Sequence, residues 1–252
     1  MDNYADIYKY YMKNDEGVRL SNNNIGRLEY DTTAWCLDGF VTPGLKVLET
    51  CAGSGIYTSY LQNKGCDVYV SDFHPKHVSY LKRHSDIDPR KVFFWDVNKP
   101  IDLNEKFDIV FCMGALYHTP YDQWSSIFDN CCSLLKKNGK FVFTYMNKAA
   151  WILKGIRKQG FDINAIKKIE CFGGGPVFFA SSVGEVVAIA QKKNLSIIKH
   201  IATTGIRYMV EETVNNLDNE SYCFLRDYHI KHCNDTDLLG YSQYCMVVSV
   251  LT

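Results

Sequence analysis

Three acids stand at the ends of three successive β-rich runs: Glu49 after KVL, Asp72 after VYVS and Asp96 after KVFFW. The first is followed by Gly53 and Gly55 in the stretch ETCAGSG. Glycines at that spacing let a ligand approach the backbone, and the helix start beyond them offers free N–H groups and a positive dipole end. A carboxylate beside such a turn repels pyrophosphate and suits a ligand carrying an ammonium or another positive charge. A carboxylate at the end of a neighbouring strand can accept from two vicinal hydroxyls. His118, just past a fourth apolar run, FDIVFCM, is a candidate general base.

Two familiar phosphate turns do not fit. A dinucleotide fingerprint needs a third small residue in the helix, and Gly53-Ser54-Gly55-Ile56-Tyr57 is followed by Thr58. A P-loop needs Gly-Lys-Ser/Thr, which is missing here. Cys223, His229, His232 and Cys233 cluster late in the chain but lack a CxxC pair, so no metal is expected.

Strand ends meet in this way in an α/β sheet. From Leu45 onward, β-rich runs alternate with helical patterns as βαβ units demand. The runs are 46–49, 68–72, 91–96, 107–113 and 140–146, nearly all apolar, as strands covered on both faces should be. Helices are predicted over 55–63, 75–84 and 122–137, the last closing at Asn138-Gly139. SVGEVVAIAQKKN reads as a helix with Ser182 as N-cap and Glu185 completing a capping box. Two further strands, at 195–204 and 243–251, flank a polar helical stretch at 208–235. The predicted fold is therefore a doubly wound, mostly parallel, seven-stranded Rossmann-like sheet with helices on both faces. Residues 1–40 form a helical cap, 41–147 the core, and 148–181 with 205–240 a lid inserted after strand 5, all within one domain over 1–252. CFGGGPVFF, with three consecutive glycines, is a flexible loop in that lid.

A chain of 252 residues, 46% hydrophobic, can bury one large core. Its 28 basic residues balance 28 acidic ones, which argues against a broad footprint for duplex DNA and against RNA. A local basic group at Lys154, Arg157, Lys158, Lys167 and Lys168 is the one place where RNA contact could occur. With no apolar leader and no run of about 18 apolar residues, a cytoplasmic chain without membrane contact is expected. The ten cysteines, scattered through core segments, read as reduced thiols.

These residues resemble the class I S-adenosylmethionine-dependent methyltransferases, of the small bacterial type. ETCAGSG matches the family's first motif with Cys51 where a glycine is usual, and the resemblance covers roughly residues 30–150. It implies that S-adenosylmethionine is the cofactor, with S-adenosylhomocysteine as product. The implied cofactor site comprises Glu49, Cys51, Ala52, Gly53, Ser54, Gly55, Asp72, Phe73, Asp96, Val97, Met113, Gly114 and Tyr11. Asp72 would take the ribose hydroxyls and Asp96 the adenine amino group, with Val97 beside the ring. GALYHT after the fourth strand places Tyr117 and His118 at the methyl group, His118 as base and Tyr117 lining its pocket.

Methyl transfer needs mainly positioning and exclusion of water, and a base only where the acceptor holds its proton. Tyr8, Arg19, Trp151 and Arg207 are candidate acceptor contacts, beside aromatic residues such as Phe172, Phe178 and Phe179. An arginine there would favour an acidic acceptor. The expected activity is methyl transfer to oxygen or nitrogen of a small molecule or short peptide, by a monomer or homodimer. The alternatives are an RNA methyltransferase and a non-catalytic protein that binds S-adenosylmethionine to regulate a partner.

Overall fold

The computed structural model describes residues 3–14 and 16–251. Seven strands form one sheet: β1 (Lys46–Thr50), β2 (Asp67–Asp72), β3 (Val92–Phe94), β4 (Phe107–Cys112), β5 (Leu135–Met146), β6 (Leu195–Ala202) and β7 (Tyr244–Leu251). Their order is β3-β2-β1-β4-β5-β7-β6, parallel except for β7, which runs antiparallel to β5 and β6. The chain steps outward from β1 to β2 and β3, then crosses to β4. The switch point between β1 and β4 opens a crevice at their carboxyl ends.

Strand side chains alternate between two cores. Leu48, Val110, Phe141 and Phe143 pack on one face with α5 (Trp124–Ser133) and α8 (Val183–Lys192). Val47, Ile109, Phe111 and Val142 pack on the other with α2 (Asn24–Asp38), α3 (Ile56–Asn63) and α4 (Pro75–His84). The N-terminal α1 (Tyr4–Lys13) lies at the carboxyl end of the sheet, and α6 (Lys148–Gln159) and α7 (Ile163–Phe172) follow β5.

The expected helix over 75–84 forms with those bounds, and Ser182 and Glu185 make the reciprocal capping box that their spacing predicts. The helix expected over 122–137 is shorter. It ends at Ser133, and Asn138-Gly139 lies in a bulge within β5, where pairing jumps from Phe107↔Leu135 to Ile109↔Lys140. Asn138 takes a positive φ of 62° there, which asparagine tolerates better than most residues. The stretch 208–235 is likewise broken, into a 3-10 turn at 207–210, α9 (Glu211–Asn215) and α10 (Asn219–His232). Asp218 caps α10, accepting from the Ser221 N–H, so the polar run is two helices with a stop between them. Among the described residues no helix is long and apolar enough to cross a membrane.

Candidate active site

A cavity of about 340 Å³ occupies the crevice beyond β1 and β4. It gathers most of the residues predicted from the motifs: Cys51, Ala52, Gly53, Ser54, Asp72, Phe73, Asp96, Val97, Met113, Gly114, Tyr117, His118, Tyr11 and Arg19. Five predicted residues lie outside it, namely Glu49, Gly55, Tyr8, Trp151 and Arg207.

The turn after β1 runs through three left-handed residues, with φ of 58° at Cys51, 57° at Gly53 and 84° at Gly55. A Cβ on Gly53 would meet nothing within 4 Å, so its backbone faces open cavity, whereas one on Gly55 would come within 2.6 Å of Leu81. Gly53 therefore serves ligand approach and Gly55 serves packing of the turn onto α4. Cys51 holds a conformation that favours glycine, at a steric cost for any residue with a Cβ.

Glu49 corrects the electrostatic expectation. It is buried beneath the turn, and its carboxyl accepts from the Thr58 hydroxyl. Burial pushes its pKa up to about 8, with the nearby Asp72 adding to the rise against the Thr58 bond. At neutral pH it is mostly protonated and does not supply a counter-charge to the cavity. Thr58, which spoils the dinucleotide pattern, is the partner this acid needs.

The cavity's negative charge belongs to Asp72 and Asp96. Asp72 is held on both oxygens, accepting from the Gly53 N–H at 2.8 Å, from the His74 N–H at 2.7 Å and facing His77 Nδ1 at 3.2 Å. Asp96 accepts from the Tyr4 hydroxyl at 2.6 Å and from the Asn98 N–H at 3.1 Å. These bonds orient each carboxylate while leaving lone pairs for a ligand.

Helix α1 closes the cavity through one face. Tyr4, Tyr8 and Tyr11 fall at i, i+4 and i+7, so their hydroxyls emerge on the same side. They reach past the ends of three strands: Tyr4 to Asp96, Tyr8 to the Phe73 carbonyl at 3.0 Å, and Tyr11 to His118 Nε2 at 2.8 Å. Tyr8, expected to touch the acceptor, instead packs at a tilt against Phe73 and His74 and does not line the cavity, because its hydroxyl is drawn to that carbonyl. Tyr4, His77, Tyr57 and Asn98 line the cavity without having been selected from the sequence. The tyrosine spacing of α1 was the signal for Tyr4.

His118 is buried with both ring nitrogens engaged. Nδ1 lies 2.8 Å from the Val177 carbonyl, which can only accept, so Nδ1 carries the proton and Nε2 accepts from Tyr11. Burial pushes its pKa down to about 4. The imidazole is neutral and bridges α1 to the loop that carries Val177.

Three candidate acceptor contacts have other partners. Arg19 lines the cavity, but its guanidinium is paired with both Glu29 oxygens at 2.8 Å. Arg207 is buried away from the cavity with its Nη1 2.7 Å from His229 Nδ1, because the 3-10 turn at 207–210 tucks it under α10. Trp151 lines a different cavity, and Phe172 projects into solvent at 72% exposure. His229, whose polar helix suggests a solvent-facing residue, is fully buried against Arg207 and the Thr203 carbonyl. In the basic group, Arg157 and Lys158 face Glu211 and Lys154 bonds Gln243.

The lining has acids at two strand ends, an open glycine turn and apolar Val97, Met113 and Ala115 between them. It suits a ligand with hydroxyls, an amino group and a cationic end. Residues 48–141 match the family model described as a methyltransferase domain. Ubiquinone biosynthesis O-methyltransferase from Actinobacillus pleuropneumoniae is 30% identical over 112 residues, 42% of this chain and 47% of that protein. The mitochondrial ubiquinone biosynthesis O-methyltransferase of Schizosaccharomyces pombe is 26% identical over 155 residues, 59% of this chain and 55% of its own length. The chain thus spans about half the length of these curated relatives. Among solved structures, the N-methyltransferase NodS from Bradyrhizobium japonicum, in complex with S-adenosylhomocysteine, superposes with a TM-score of 0.61 at 14% identity, covering 99% of this chain and 98% of that one. Magnesium protoporphyrin IX methyltransferase from Synechocystis, with bound S-adenosylhomocysteine, gives 0.60 at 17% identity over 100% of both chains. These two share the fold. Residues 48–141 thus match a methyltransferase domain, and the sheet as a whole has the fold of these two methyltransferases.

Proposed function

We propose that the chain binds S-adenosylmethionine in the 340 Å³ cavity and catalyses methyl transfer to an oxygen or nitrogen of a small-molecule acceptor. The observation that carries this reading is the pair of oriented carboxylates, Asp72 at the end of β2 and Asp96 just past the neighbouring β3, beside the open glycine turn that follows β1. The curated relatives' names, both O-methyltransferases of ubiquinone biosynthesis, lend weight to a small acceptor.

In this reading Asp72 accepts from the ribose hydroxyls and Asp96 orients the adenine amino group, with Val97 against the ring. When bound, S-adenosylmethionine supplies a methyl carbon already activated by its sulfonium. The chain's part is then to align the acceptor and exclude water, which can be worth up to about 7–11 kcal/mol. Tyr117 and Gly114 line the cavity next to one another, where a Cβ on Gly114 would lie 3.6 Å from the Tyr117 hydroxyl. His118 holds Tyr11 and the Val177 loop in register and takes no proton near neutral pH. The favoured acceptors therefore present a lone pair that is already free near neutral pH, such as a carboxylate.

Calorimetric titration with S-adenosylmethionine and, separately, with NADH tests the reading. Binding of the methyl donor alone, weakened at least tenfold by Asp72→Ala, is expected from loss of a charged hydrogen-bond acceptor. Absence of donor binding overturns it.

A further inference from the structure

A second cavity, of about 390 Å³, lies between α6 and α7. Its walls are largely apolar, with Trp151, Ile152, Ile166, Ile169 and Phe178. Helix α7 turns Ile166 and Ile169 toward this space, yet it has no fully buried residue. Apolar side chains that face an unfilled volume forgo the dispersion contacts and burial that would otherwise hold such a helix down. An occupant would supply them.

One cation in that lining has no close ion-pair partner among the described residues, with Glu211 and Glu29 acting on it only at longer range. Lys154 Nζ donates to the neutral Gln243 Oε1 at 2.9 Å and, among the described residues, has no acid within ion-pair distance. Its neighbour Lys158 also lines the cavity but reaches Glu211 at 3.6 Å. Asp162, the acid of the lining, is engaged in capping α7 through the Asn164 and Ala165 N–H groups. Burial lowers the Lys154 pKa against the opposing pull of Glu211 and Glu29, with the neighbouring cations Lys158 and Arg157 adding to the fall. An anion would relieve that cost.

The two cavities share a wall one ring thick. Tyr117 lines the first, Phe178 and Tyr244 line the second, and the Tyr117 ring centroid lies 6.3 Å from Phe178 and 6.0 Å from Tyr244. Tyr10, beside Tyr11 on α1, packs edge-on to Phe178 at 5.0 Å and completes the wall. A molecule seated between α6 and α7 is one aromatic layer from the donor cavity.

We propose that the second cavity holds the body of the methyl acceptor, and that this acceptor is an apolar, ring- or chain-bearing small molecule whose anionic group pairs with Lys154. The inference rests on the donor reading of the first cavity. It assigns Lys154, and not Arg19 or Arg207, as the residue that selects for charge.

Fluorescence titration with two dyes tests it: anilinonaphthalene sulfonate, an aromatic anion, and the parent phenylnaphthylamine, which lacks the sulfonate. Both are titrated into wild type, Lys154→Met, Lys154→Arg and Ile166→Trp in the presence of S-adenosylhomocysteine, with donor calorimetry run in parallel. The anion is expected to bind wild type about tenfold more tightly than the neutral dye, the effect of one charge-assisted contact. Lys154→Met removes that preference, Lys154→Arg retains it, and Ile166→Trp, which fills the cavity, weakens both dyes. Equal binding of the two dyes, a preference that survives Lys154→Met, or dye binding untouched by Ile166→Trp overturns the inference. Dye failure with donor binding intact sinks the acceptor site alone. Dye binding without donor binding sinks the reading of the first cavity and leaves the anion site standing.

Discussion

The Tyr11 hydroxyl and His118 Nε2 lie 2.8 Å apart, joining the first helix to the turn after β4. Because the His118 Nδ1–H donates to the Val177 carbonyl, this contact also couples α1 to the loop that carries Val177. Tyr11→Phe removes one net hydrogen bond, worth about 1 kcal/mol. Donor affinity is expected to fall about fivefold, and amides of 4–13 to exchange faster with solvent. Unchanged affinity together with unchanged exchange would show that the contact does not hold the helix.

Glu49 and Thr58 form a buried pair in which the acid is mostly neutral at pH 7. Its folded pKa, about 8, is raised above the ordinary 4.5. The contribution is therefore fully present below 4.5 and is lost as pH rises from 4.5 through about 8. Glu49→Gln, which can keep a bond to Thr58, should be close to wild type in stability at acidic pH and more stable than wild type in alkaline solution. Glu49→Ala strands the Thr58 hydroxyl and opens a void, at a cost of about 2–4 kcal/mol. Urea titrations across pH read both effects, and a Gln variant that loses stability at alkaline pH as wild type does would refute the assignment.

Two histidines give the opposite signature. His118 and His229 are buried neutral, each with its pKa pushed down to about 4 by burial, Arg207 adding to the effect at His229. Their contribution is complete above the ordinary value of 6.5 and is lost as pH falls from 6.5 toward 4. Each steepens the loss by up to roughly 1.4 kcal/mol per pH unit. His118→Asn should flatten the acid limb of a stability–pH curve by one such increment, and an unchanged slope would count against a neutral buried imidazole.

Cys51 sits at φ 58° where the family motif has glycine. Comparing Cys51→Gly with Cys51→Ala cancels most of the lost thiol packing and isolates the backbone. The glycine variant should be the more stable of the two by about 1 kcal/mol, the cost of a Cβ in the left-handed region. Equal melting temperatures would mean that the turn relaxes without strain.

The sheet was legible because its strands are apolar runs separated by helical patterns, and Asp72 and Asp96 because a strand end marks them. What misled was the assumption that a residue type sets its environment. Arg19 and Arg207 looked like acceptor anchors, yet Glu29 and His229, distant in sequence, engage them. Glu49 looked anionic until its burial was known. Lys154 stood out only as one of a basic group, since its lack of a close ion pair depends on how α6 lies against Gln243. Such pairings arise from tertiary packing, which periodicity does not encode.

The hydroxyls of Tyr4, Tyr8 and Tyr11 on α1 reach past the ends of β3, β2 and β4 along a single helix face. A rigid helix cannot release one of these contacts and swing clear while holding the others. Exchange of whatever occupies the crevice is then an all-or-none event whose frequency depends on the helix. Within the proposed function, residence time, and with it the ceiling on turnover, depends on α1, and substitutions there should alter how long a product stays without altering the bond-making step.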